Sequence, residues 1–361
     1  MDTEKDLHRL REKIDTLDAD LLRLINERAE LAIEVGRVKR LSGIPADFYR
    51  PEREAEILRR VRETNPGPLR ADESVRLMRE LMSACLALEQ PLKVAYLGPA
   101  GTFTHLAALK HFGHSVTAIP VTAIGEVMRE VEAGGCEYGV VPVENSLEGG
   151  VNQTLDGLRG SSLRICGEVV MNVRHQLLTC APTLSQIRRV YAHEQALAQC
   201  RRWLGAHLPQ AEMVPSSSNA EAATRARDEH DAAAIAGQAA ASLYELPILA
   251  SNIEDHSDNT TRFLVLGKRS PAATGEDITA LMFSMPNRPG ALYHILQALA
   301  DANISMTRIE SRPMRNGTWD YLFFVDIAGH IDDDNVATAL QQVRERASVF
   351  KVLGSFPRAA T

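Results

Sequence analysis

The sequence predicts a multidomain chain of three modules: an all-helical module, an α/β module and a ferredoxin-like module of order β-α-β-β-α-β. Three observations lead to this prediction. An apolar seam at heptad spacing runs from about Leu7 to Leu41 and is typical of one long helix. From residue 92 onward, strands and helices alternate, which is the pattern of α/β domains. After residue 277, four short apolar segments and two helical ones follow in the ferredoxin-like order.

The first module, residues 1–91, is predicted to contain three helices. In the first helix Arg28 takes an apolar position of the seam, where an unpaired charge is costly. Lys39 follows eleven residues later, about three turns on, and therefore faces nearly the same way. Two cations beside a packed surface indicate a pocket for an anion. In the third helix Cys85 lies on the apolar stripe, and Glu89 brings a second ionisable group into it.

Arg11 extends this argument to a second copy of the chain. It precedes Lys39 by 28 residues, which on a straight helix is roughly 42 Å, so no small ligand can touch both on one chain. In an antiparallel pair of long helices, Arg11 of one copy would come near Lys39 of the other. The seam therefore predicts an intertwined dimer with a buried anion site. The alternative is that these cations are solvated or snorkelling side chains.

The second module, residues 92–270, is predicted to be α/β. Residues 92–97 are predicted to form a buried strand, 98–101 a tight turn and 102–112 a helix, with further strands at 138–143, 190–192 and 232–236. Ser218 and its neighbours offer N-caps to a helix that ends near Arg227. A module of this length can form two lobes with a cleft between them.

Polar side chains gather where strands of this module end or begin. Glu144 and Asn145 follow the strand that ends at residue 143, and Thr261 and Arg262 open the last strand. Clefts of α/β domains lie at such strand ends. Each segment alone is more often an ordinary polar loop, but together they predict a cleft with carboxylate binders and hydroxyl donors. Neither the dinucleotide nor the ATP fingerprint occurs in the sequence, and we expect no metal and no organic cofactor.

The third module, residues 277–357, is predicted to carry a strand pair, 305–311 and 321–327, joined around Asn316-Gly317. A turn from Asn287 to Leu292 runs into the start of a helix, and helix N-termini attract carboxylates.

Composition limits the classes of partner. The chain has 361 residues with 45% hydrophobic and 24% charged residues, a net charge of −7 and a pI near 5.9, so we expect no nucleic-acid and no anionic-membrane partner. Its acidic start is unlike a signal peptide, and no apolar run approaches the roughly 20 residues of a membrane-spanning helix. The five cysteines are odd in number and show no CxxC pair. Free thiols in a reducing cytoplasm, without a zinc site, fit this pattern best.

Five motifs in this order carry a family resemblance. They are Gly98-Pro-Ala-Gly-Thr-Phe103, Val141-Pro-Val-Glu-Asn145, Thr261-Arg-Phe263, Gly290-Ala-Leu292 and Glu310-Ser-Arg-Pro313. Over essentially its whole length the chain resembles the bifunctional chorismate mutase–prephenate dehydratases of phenylalanine biosynthesis. The resemblance implies a helical mutase that forms an intertwined dimer, a dehydratase like the periplasmic binding proteins, and a C-terminal ACT domain. It also implies cytoplasmic activity on chorismate and prephenate without a cofactor, feedback inhibition by phenylalanine, and a homodimer or higher homo-oligomer.

For the mutase, the resemblance implies a site that holds the substrate without acid, base or nucleophile. Arg28 and Lys39 would bind the substrate carboxylates and the ether oxygen, and Arg11 of a second copy would add a carboxylate contact. The remaining implied residues are Glu52 at the ring hydroxyl, Glu89 at the ether oxygen, and Cys85 as a further substrate contact. Phe48 and Pro51 stand where some relatives have Asp and Arg, so recognition of the ring hydroxyl would rest on Glu52 and its neighbours.

For the dehydratase, the resemblance implies that Thr261 donates toward the ring hydroxyl that leaves and that Arg262 lies near a carboxylate. Glu144, Asn145 and Gln199 would line the cleft. The chain departs from the family pattern at Ala192 and Glu194, where a serine and a proline are usual, so any role of that serine is absent or supplied by a neighbour.

For the ACT domain, the resemblance implies that phenylalanine binds at two segments and that prephenate weakens this binding in return. The implied effector residues are Asn287, Gly290, Ala291, Leu292, Glu310, Ser311, Arg312 and Pro313. Two alternatives remain open. The chain could be a ligand sensor without turnover, or a dehydratase whose helical module serves only to dimerise.

Overall fold

A computed structural model of the chain describes residues 3–41, 48–285, 288–313 and 321–359. The chain divides into two compact units: Met1–Arg50, Ile57–Leu92 and Phe112–Thr117 form the first, and Pro51–Glu56, Lys93–His111 and Ala118–Thr361 form the second. The predicted hairpin turn at 316–317 and the effector residue Asn287 lie outside the described residues. Within the described ranges, no helix has the length and apolar character needed to span a membrane.

Helices account for the first module, as its pattern predicts. They are α1 (Thr3–Leu41), α2 (Pro51–Thr64) and α3 (Ala71–Glu89). At 39 residues, α1 is about 58 Å long. The apolar seam of α1 is exposed on the single chain; Leu17 and Leu31, for example, are 61% and 69% exposed.

Eight elements that follow α3 form most of a first lobe. They are β1 (Lys93–Leu97), α4 (Phe103–Phe112), β2 (Thr117–Val121), α5 (Ile124–Ala133), β3 (Tyr138–Asn145), β4 (Gly149–Gly150), α6 (Asn152–Gly160) and β5 (Arg164–Asn172), completed by a strand that returns later. Buried aliphatic residues of α5, α6 and the strands form its core.

The chain then builds a second lobe. Its elements are β6 (Gln176–Thr179), a 3-10 turn (Leu184–Gln186), β7 (Arg189–Ala192), α7 (Glu194–Gln199), α8 (Arg201–His207), β8 (Glu212–Pro215), α9 (Asn219–Arg227), β9 (Ala232–Ala236), α10 (Gln238–Leu243) and β10 (Ile248–Ala250). The sheet order is β10-β6-β9-β7-β8. As the sequence predicts, Ser218 caps α9 by accepting a hydrogen bond from the backbone N–H of Glu221.

Strand β11 (Thr260–Gly267) returns to the first lobe and completes a sheet of order β2-β1-β3-β11-β5, with β4 paired to β3. The chain thus crosses between the lobes twice, after β5 and before β11. The backbone N–H of Val173 donates to the oxygen of Asn259 at 2.8 Å and holds the two crossings together. This confirms the prediction of a two-lobed α/β domain.

The C-terminal domain contains β12 (Asp277–Ser284), α11 (Ala291–Asp301), β13 (Met306–Pro313), β14 (Tyr321–Ala328), α12 (Asp334–Arg346) and β15 (Val349–Pro357). Its antiparallel sheet has the order β13-β14-β12-β15, which confirms the ferredoxin-like prediction. Alternate residues of β12 serve two cores: Leu281 and Phe283 pack with the two helices, whereas Ala280 and Met282 pack with the core of the first lobe.

Candidate active sites

The helical unit brings two of the predicted anion-pocket residues together. Nζ of Lys39 lies 3.4 Å from Oε2 of Glu89 and donates to the backbone oxygen of Phe48 at 3.3 Å. The two side chains are 27% and 11% exposed, so each charge is largely withdrawn from water. Gly36 permits this approach of α1 to α3, because a Cβ there would already lie 3.3 Å from Cβ of Glu89. Sequence reasoning missed Gly36, although a glycine inside a long helix indicates close packing.

The other residues predicted for this site lie on all three helices. Arg28 is half-buried on α1, and Arg11 is exposed near the other end of that helix. Cys85 is buried on α3, one turn before Glu89, and the half-buried Glu52 belongs to the first turn of α2. A single chain cannot bring Arg11 to the Lys39 end of α1, because the helix keeps them about 42 Å apart.

A cleft of about 660 Å³ separates the two lobes of the second unit. From the first lobe it is lined by residues of the 97–104 and 120–122 segments, Asn145 and Thr261, and from the second lobe by His175, His193, Gln195, Gln199 and residues 217–219. Among the described residues that line it there is no lysine, arginine, aspartate or glutamate. Its polar groups are hydroxyls, carboxamides, imidazoles and the backbone at the starts of α4 and α9.

Thr261 lies in this cleft and is oriented by Asn145, its neighbour across β11 and β3. Oδ1 of Asn145 accepts from the backbone N–H groups of Leu147 and Glu148 at 3.0 and 3.2 Å, which turns its Nδ2 toward Thr261. Nδ2 donates to Oγ1 of Thr261 at 2.9 Å. Because Oγ1 accepts this bond, the hydroxyl proton of Thr261 can be donated to a group in the cleft.

A chain of hydrogen bonds continues from Asn145 to the second lobe. Asn145 donates to Oδ1 of Asn259 at 2.8 Å, and Nδ2 of Asn259 donates to Oε1 of Gln199 at 3.0 Å. The same Oε1 lies 2.8 Å from Nε2 of His175. Since a carboxamide oxygen can only accept, Nε2 of His175 carries a proton. Burial lowers the pKa of His175, which favours the neutral ring.

Glu148 joins the two lobes at the edge of the cleft. It follows β3 in the first lobe, and its carboxylate accepts from Nε2 of Gln199 at 3.1 Å and from the carboxamide of Gln195 in the second lobe. Sequence reasoning missed Glu148, Asn259 and His175 as site residues. Glu148 and Asn259 lie within three residues of the predicted site residues Asn145 and Thr261, and this is the signal in the sequence that could have found them. His175 is a single histidine outside any motif.

Three family models match the chain in order: chorismate mutase type II over residues 10–90, prephenate dehydratase over 94–271, and the ACT domain over 279–345. The bifunctional chorismate mutase/prephenate dehydratase of Stutzerimonas stutzeri is 52% identical over 98% of this chain and 98% of its own length. The chain belongs to this bifunctional family. The proteins of the same description from Pseudomonas aeruginosa and Aquifex aeolicus are 51% and 44% identical, over 99% and 98% of this chain and 100% and 99% of their own. The family resemblance inferred from the motifs is confirmed.

Solved structures resemble the dehydratase and ACT domains. The prephenate dehydratase of Arthrobacter aurescens in complex with L-Phe is 37% identical and has a TM-score of 0.68, over 74% of this chain and 90% of its own. GqqA, described as a quorum-quenching acylase, is 31% identical and has a TM-score of 0.67, over 74% of this chain and 98% of its own. Because one fold carries two named activities, the activity has to be argued from the site.

Two residues predicted for the dehydratase cleft face away from it. Arg262 and Glu144 pair across β11 and β3, directly beside the pair Thr261 and Asn145. Because side chains alternate along a strand, Arg262 and Glu144 point to the opposite face of the sheet. Arg262 is 15% exposed and forms ion pairs with Glu168 at 2.7 Å and with Asp326 of the ACT domain at 2.5 Å. We therefore correct the expectation that Arg262 lies by a substrate carboxylate, because two carboxylates of the chain already hold its guanidinium.

The departure at Ala192 has a packing consequence. Ala192 is fully buried in the apolar core of the second lobe, and Glu194 begins α7 two residues later. His193 lies between them and accepts a hydrogen bond from the backbone N–H of Gln195 at 3.3 Å. A methyl group thus stands at the position for which the family resemblance implies a serine, and Ser217 and Ser218 line the cleft with hydroxyl groups.

The ACT residues predicted for the effector fall into two groups. Gly290 has a φ of 80° directly before α11, a left-handed conformation that favours glycine, and Ala291 and Leu292 begin that helix. On β13, Ser311 and Pro313 are exposed, whereas the alternate side chains of Glu310 and Arg312 turn toward the dehydratase domain, where Arg312 pairs with Asp156 at 2.7 Å. We correct the effector assignment for the side chains of Glu310 and Arg312, which are committed to this domain contact.

Proposed function

We propose that the chain catalyses two consecutive reactions. The mutase domain rearranges chorismate to prephenate, and the dehydratase cleft removes water and carbon dioxide from prephenate to give phenylpyruvate. The observation that carries the second assignment is the hydrogen bond from Asn145 to Thr261, which leaves the threonine proton free to be donated in the cleft.

In the dehydration, the bond from the ring to its carboxylate breaks and its electron pair enters the ring. The bond from the ring to the hydroxyl breaks at the same time, and the hydroxyl leaves as water after gaining a proton from solvent. Formation of the aromatic ring drives both steps. Thr261 is a weak acid, so its part is to orient the leaving hydroxyl and to donate a hydrogen bond to it.

Prephenate carries two carboxylates, yet the described residues that line the cleft include no lysine or arginine. Phe103 and Asn219, the first residues of α4 and α9, both lie in it. The N-terminus of a helix carries a partial positive charge and free backbone N–H groups, both of which favour a carboxylate. We assign the two substrate carboxylates to these helix starts and the neighbouring hydroxyls, in place of Arg262.

The mutase reaction is pericyclic and needs positioning and charge stabilisation only. Lys39 and Glu89 lie together on α1 and α3, where both can reach one ether oxygen. Arg28 of the same chain and Arg11 of a second copy supply the carboxylate contacts. Glu52 and Cys85 complete the proposed site.

The second copy is supported by the exposed seam of α1. Its leucines at positions 10, 17, 24 and 31 are all more than half exposed, and a contiguous apolar surface of this kind marks a protein interface. An antiparallel homodimer, or a higher homo-oligomer built from it, covers the seam and brings Arg11 to the Lys39 end of the neighbouring helix.

Phenylalanine is the proposed effector, bound at Gly290, Ala291, Leu292, Ser311 and Pro313, with Asn287 outside the described residues. The ACT match and the relative crystallised with L-Phe support this assignment. Coupling between two sites is reciprocal. Saturating prephenate should therefore weaken phenylalanine binding, measured by equilibrium dialysis, by the same factor by which phenylalanine weakens prephenate binding.

The test of the whole proposal is to incubate the purified full chain with chorismate and to follow prephenate and phenylpyruvate. Formation of phenylpyruvate from chorismate supports both activities. If the chain converts prephenate but not chorismate, the helical domain is only a dimerisation arm. If neither compound is converted, the chain is a ligand sensor and the proposal is wrong.

A further inference from the structure

Strand β13 of the ACT domain holds the dehydratase domain through alternate side chains. Arg308 is 12% exposed; its Nε lies 2.7 Å from Oε2 of Glu144, and its guanidinium also pairs with Glu310. The Nε–H does not point at the carboxylate, so the contact with Glu144 is an ion pair without a hydrogen bond. The Glu310 carboxylate lies against the backbone of Gly150, where a Cβ would overlap it. Glu144 and Gly150 pair across β3 and β4, so Arg308 and Glu310 hold both ends of the intervening turn.

This turn, residues 144–150, carries groups of the proposed dehydratase site. Asn145 follows Glu144 directly and donates to Thr261 at 2.9 Å. The backbone N–H groups of Leu147 and Glu148 fix the carboxamide of Asn145 through its oxygen. A movement of Glu144 is therefore transmitted to the hydrogen bond that orients the threonine.

A second contact ties the neighbouring strand to the same place on the ACT sheet. Asp326 pairs with Arg308 in the register of β13 and β14, and its carboxylate binds Arg262 at 2.5 Å. Arg262 follows Thr261 directly. The sequence neighbours of Thr261 and Asn145 are Arg262 and Glu144, which lie on the opposite face of the sheet. Two adjacent ACT residues, Asp326 and Arg308, form ion pairs with them. Buried ion pairs of this kind fix the position of the two strands against the ACT sheet, because a displaced partner leaves a buried charge unpaired, which costs free energy.

We propose that Arg308 is a positioning residue for dehydration: through Glu144 it sets the orientation of Asn145 against Thr261. This inference rests on the proposed dehydratase function of the cleft. It makes β13 the mechanical connection between the ACT domain and turnover, so that a displacement of this strand changes kcat more than substrate affinity.

The experiment compares Arg308→Met and Arg308→Lys with a matched control in the full chain. Lys351→Met is the control, because Lys351 is also an ACT cation that donates to the dehydratase domain, but to the backbone oxygens of Leu158 and Ser161 at the end of α6. Arg308→Met should lower dehydratase kcat by roughly ten- to a hundredfold, the size expected for a misplaced catalytic group, with KM nearly unchanged. Arg308→Lys should lower kcat less, since lysine keeps the charge but lacks the planar fork that reaches two carboxylates. Lys351→Met should leave kcat and KM unchanged.

Far-UV circular dichroism and urea unfolding of each variant show whether its dehydratase and ACT domains have folded, and Arg308→Lys carries the test if Arg308→Met does not fold. A double-mutant cycle with Glu144→Gln checks the route, because two residues acting as a unit give non-additive effects: the double variant should lose little more kcat than Arg308→Met alone. Equal losses in Arg308→Met and Lys351→Met, or additive losses in the cycle, would overturn the inference. If the wild-type chain makes phenylpyruvate and kcat is unchanged in both Arg308 variants, only the positioning role of Arg308 is overturned. If the wild-type chain makes no phenylpyruvate, the proposed dehydratase function is overturned as well.

Discussion

Thr261 and Arg262, consecutive residues of β11, point to opposite faces of one sheet. Thr261 lies in the cleft and accepts a hydrogen bond from Asn145, whereas Arg262 is ion-paired with Glu168 and with Asp326 of the ACT domain. One strand thus carries a proposed catalytic group on one side and an interdomain ion pair on the other, and the two residues should respond differently to substitution.

Thr261→Ala should abolish most dehydratase turnover and leave mutase turnover nearly intact, because the hydrogen bond to the leaving hydroxyl is lost while the helical domain is untouched. The measurement is phenylpyruvate formation from prephenate and prephenate formation from chorismate by the same preparation. Thr260→Ala, a neighbouring threonine whose contacts to Ser146 and Asn145 run through its backbone, is the matched control. A variant at Thr261 that dehydrates prephenate at the wild-type rate would refute the assignment of the donor.

Arg262→Ala should act on stability and not on prephenate affinity. Removing one member of a buried ion cluster leaves the other charges uncompensated and typically costs about 3–5 kcal/mol of the free energy of unfolding. Urea unfolding measures this loss, and KM for prephenate is measured on the folded variant at low temperature. If KM rises sharply while stability is unchanged, Arg262 binds the substrate after all and our correction is wrong.

Mixing inactive Arg11→Ala subunits with inactive Lys39→Ala subunits should restore mutase activity. A hybrid dimer holds one site with both defects and one with neither, so up to half of its sites can work. Subunit exchange is verified by mass spectrometry on differently tagged chains. Exchanged dimers that stay inactive would contradict the antiparallel arrangement inferred from the length and seam of α1.

Glu89→Gln should retain mutase turnover, whereas Glu89→Ala should lower it by about a hundredfold, the size found when one preorganised donor is removed from a charge-stabilising site. A carboxamide keeps a polar group of the same length beside Lys39 and can donate to the ether oxygen, whereas the methyl group of alanine cannot. Dehydratase turnover on added prephenate is the control and should be equal in both variants. Equal mutase activity of the two variants would place Glu89 outside the site.

The dehydratase domain should lose stability as the pH falls below about 6.5, the ordinary pKa of histidine. Burial lowers the pKa of His175, so the unfolded chain binds a proton at a pH at which the folded chain does not, and acid favours unfolding. The contribution of the neutral His175 ring to the free energy of unfolding is fully retained above about pH 6.5. It is lost progressively as the pH falls toward the lowered pKa of His175 in the folded chain. His175→Gln should flatten this part of the stability profile, measured by urea unfolding between about pH 5 and pH 8. An unaltered profile would mean that the ring is not held neutral by burial.

Periodicity was sufficient to predict the architecture. The heptad seam predicted α1, and the predicted strand pair 305–311 and 321–327 corresponds to β13 and β14, because alternating burial leaves a direct trace in the order of residues. The same alternation would have placed Arg262 opposite Thr261, had it been applied to the motif. The ion pair with Asp326 could not be predicted, because nothing in the sequence pattern states which face of one domain meets which face of another.

The hydrogen-bond chain through Asn259, Gln199 and His175 was out of reach for a similar reason. These residues are separated by 24 to 84 positions in sequence, and only the double crossing between the lobes brings them together. Arg28 illustrates a different limit: its seam position marks it as unusual, but the substrate carboxylate that we propose for it is not part of the chain.

Strand β13 is also constrained in length. Its even-numbered side chains at 308, 310 and 312 meet the dehydratase domain and its odd-numbered ones at 307, 309, 311 and 313 are exposed, and a shift of one residue would exchange the two sets. A single insertion or deletion within Met306–Pro313 would expose the guanidinium groups of Arg308 and Arg312 to solvent and place Ile309 against Glu144. We therefore expect homologous chains to differ in length only outside this strand, whatever substitutions occur within it.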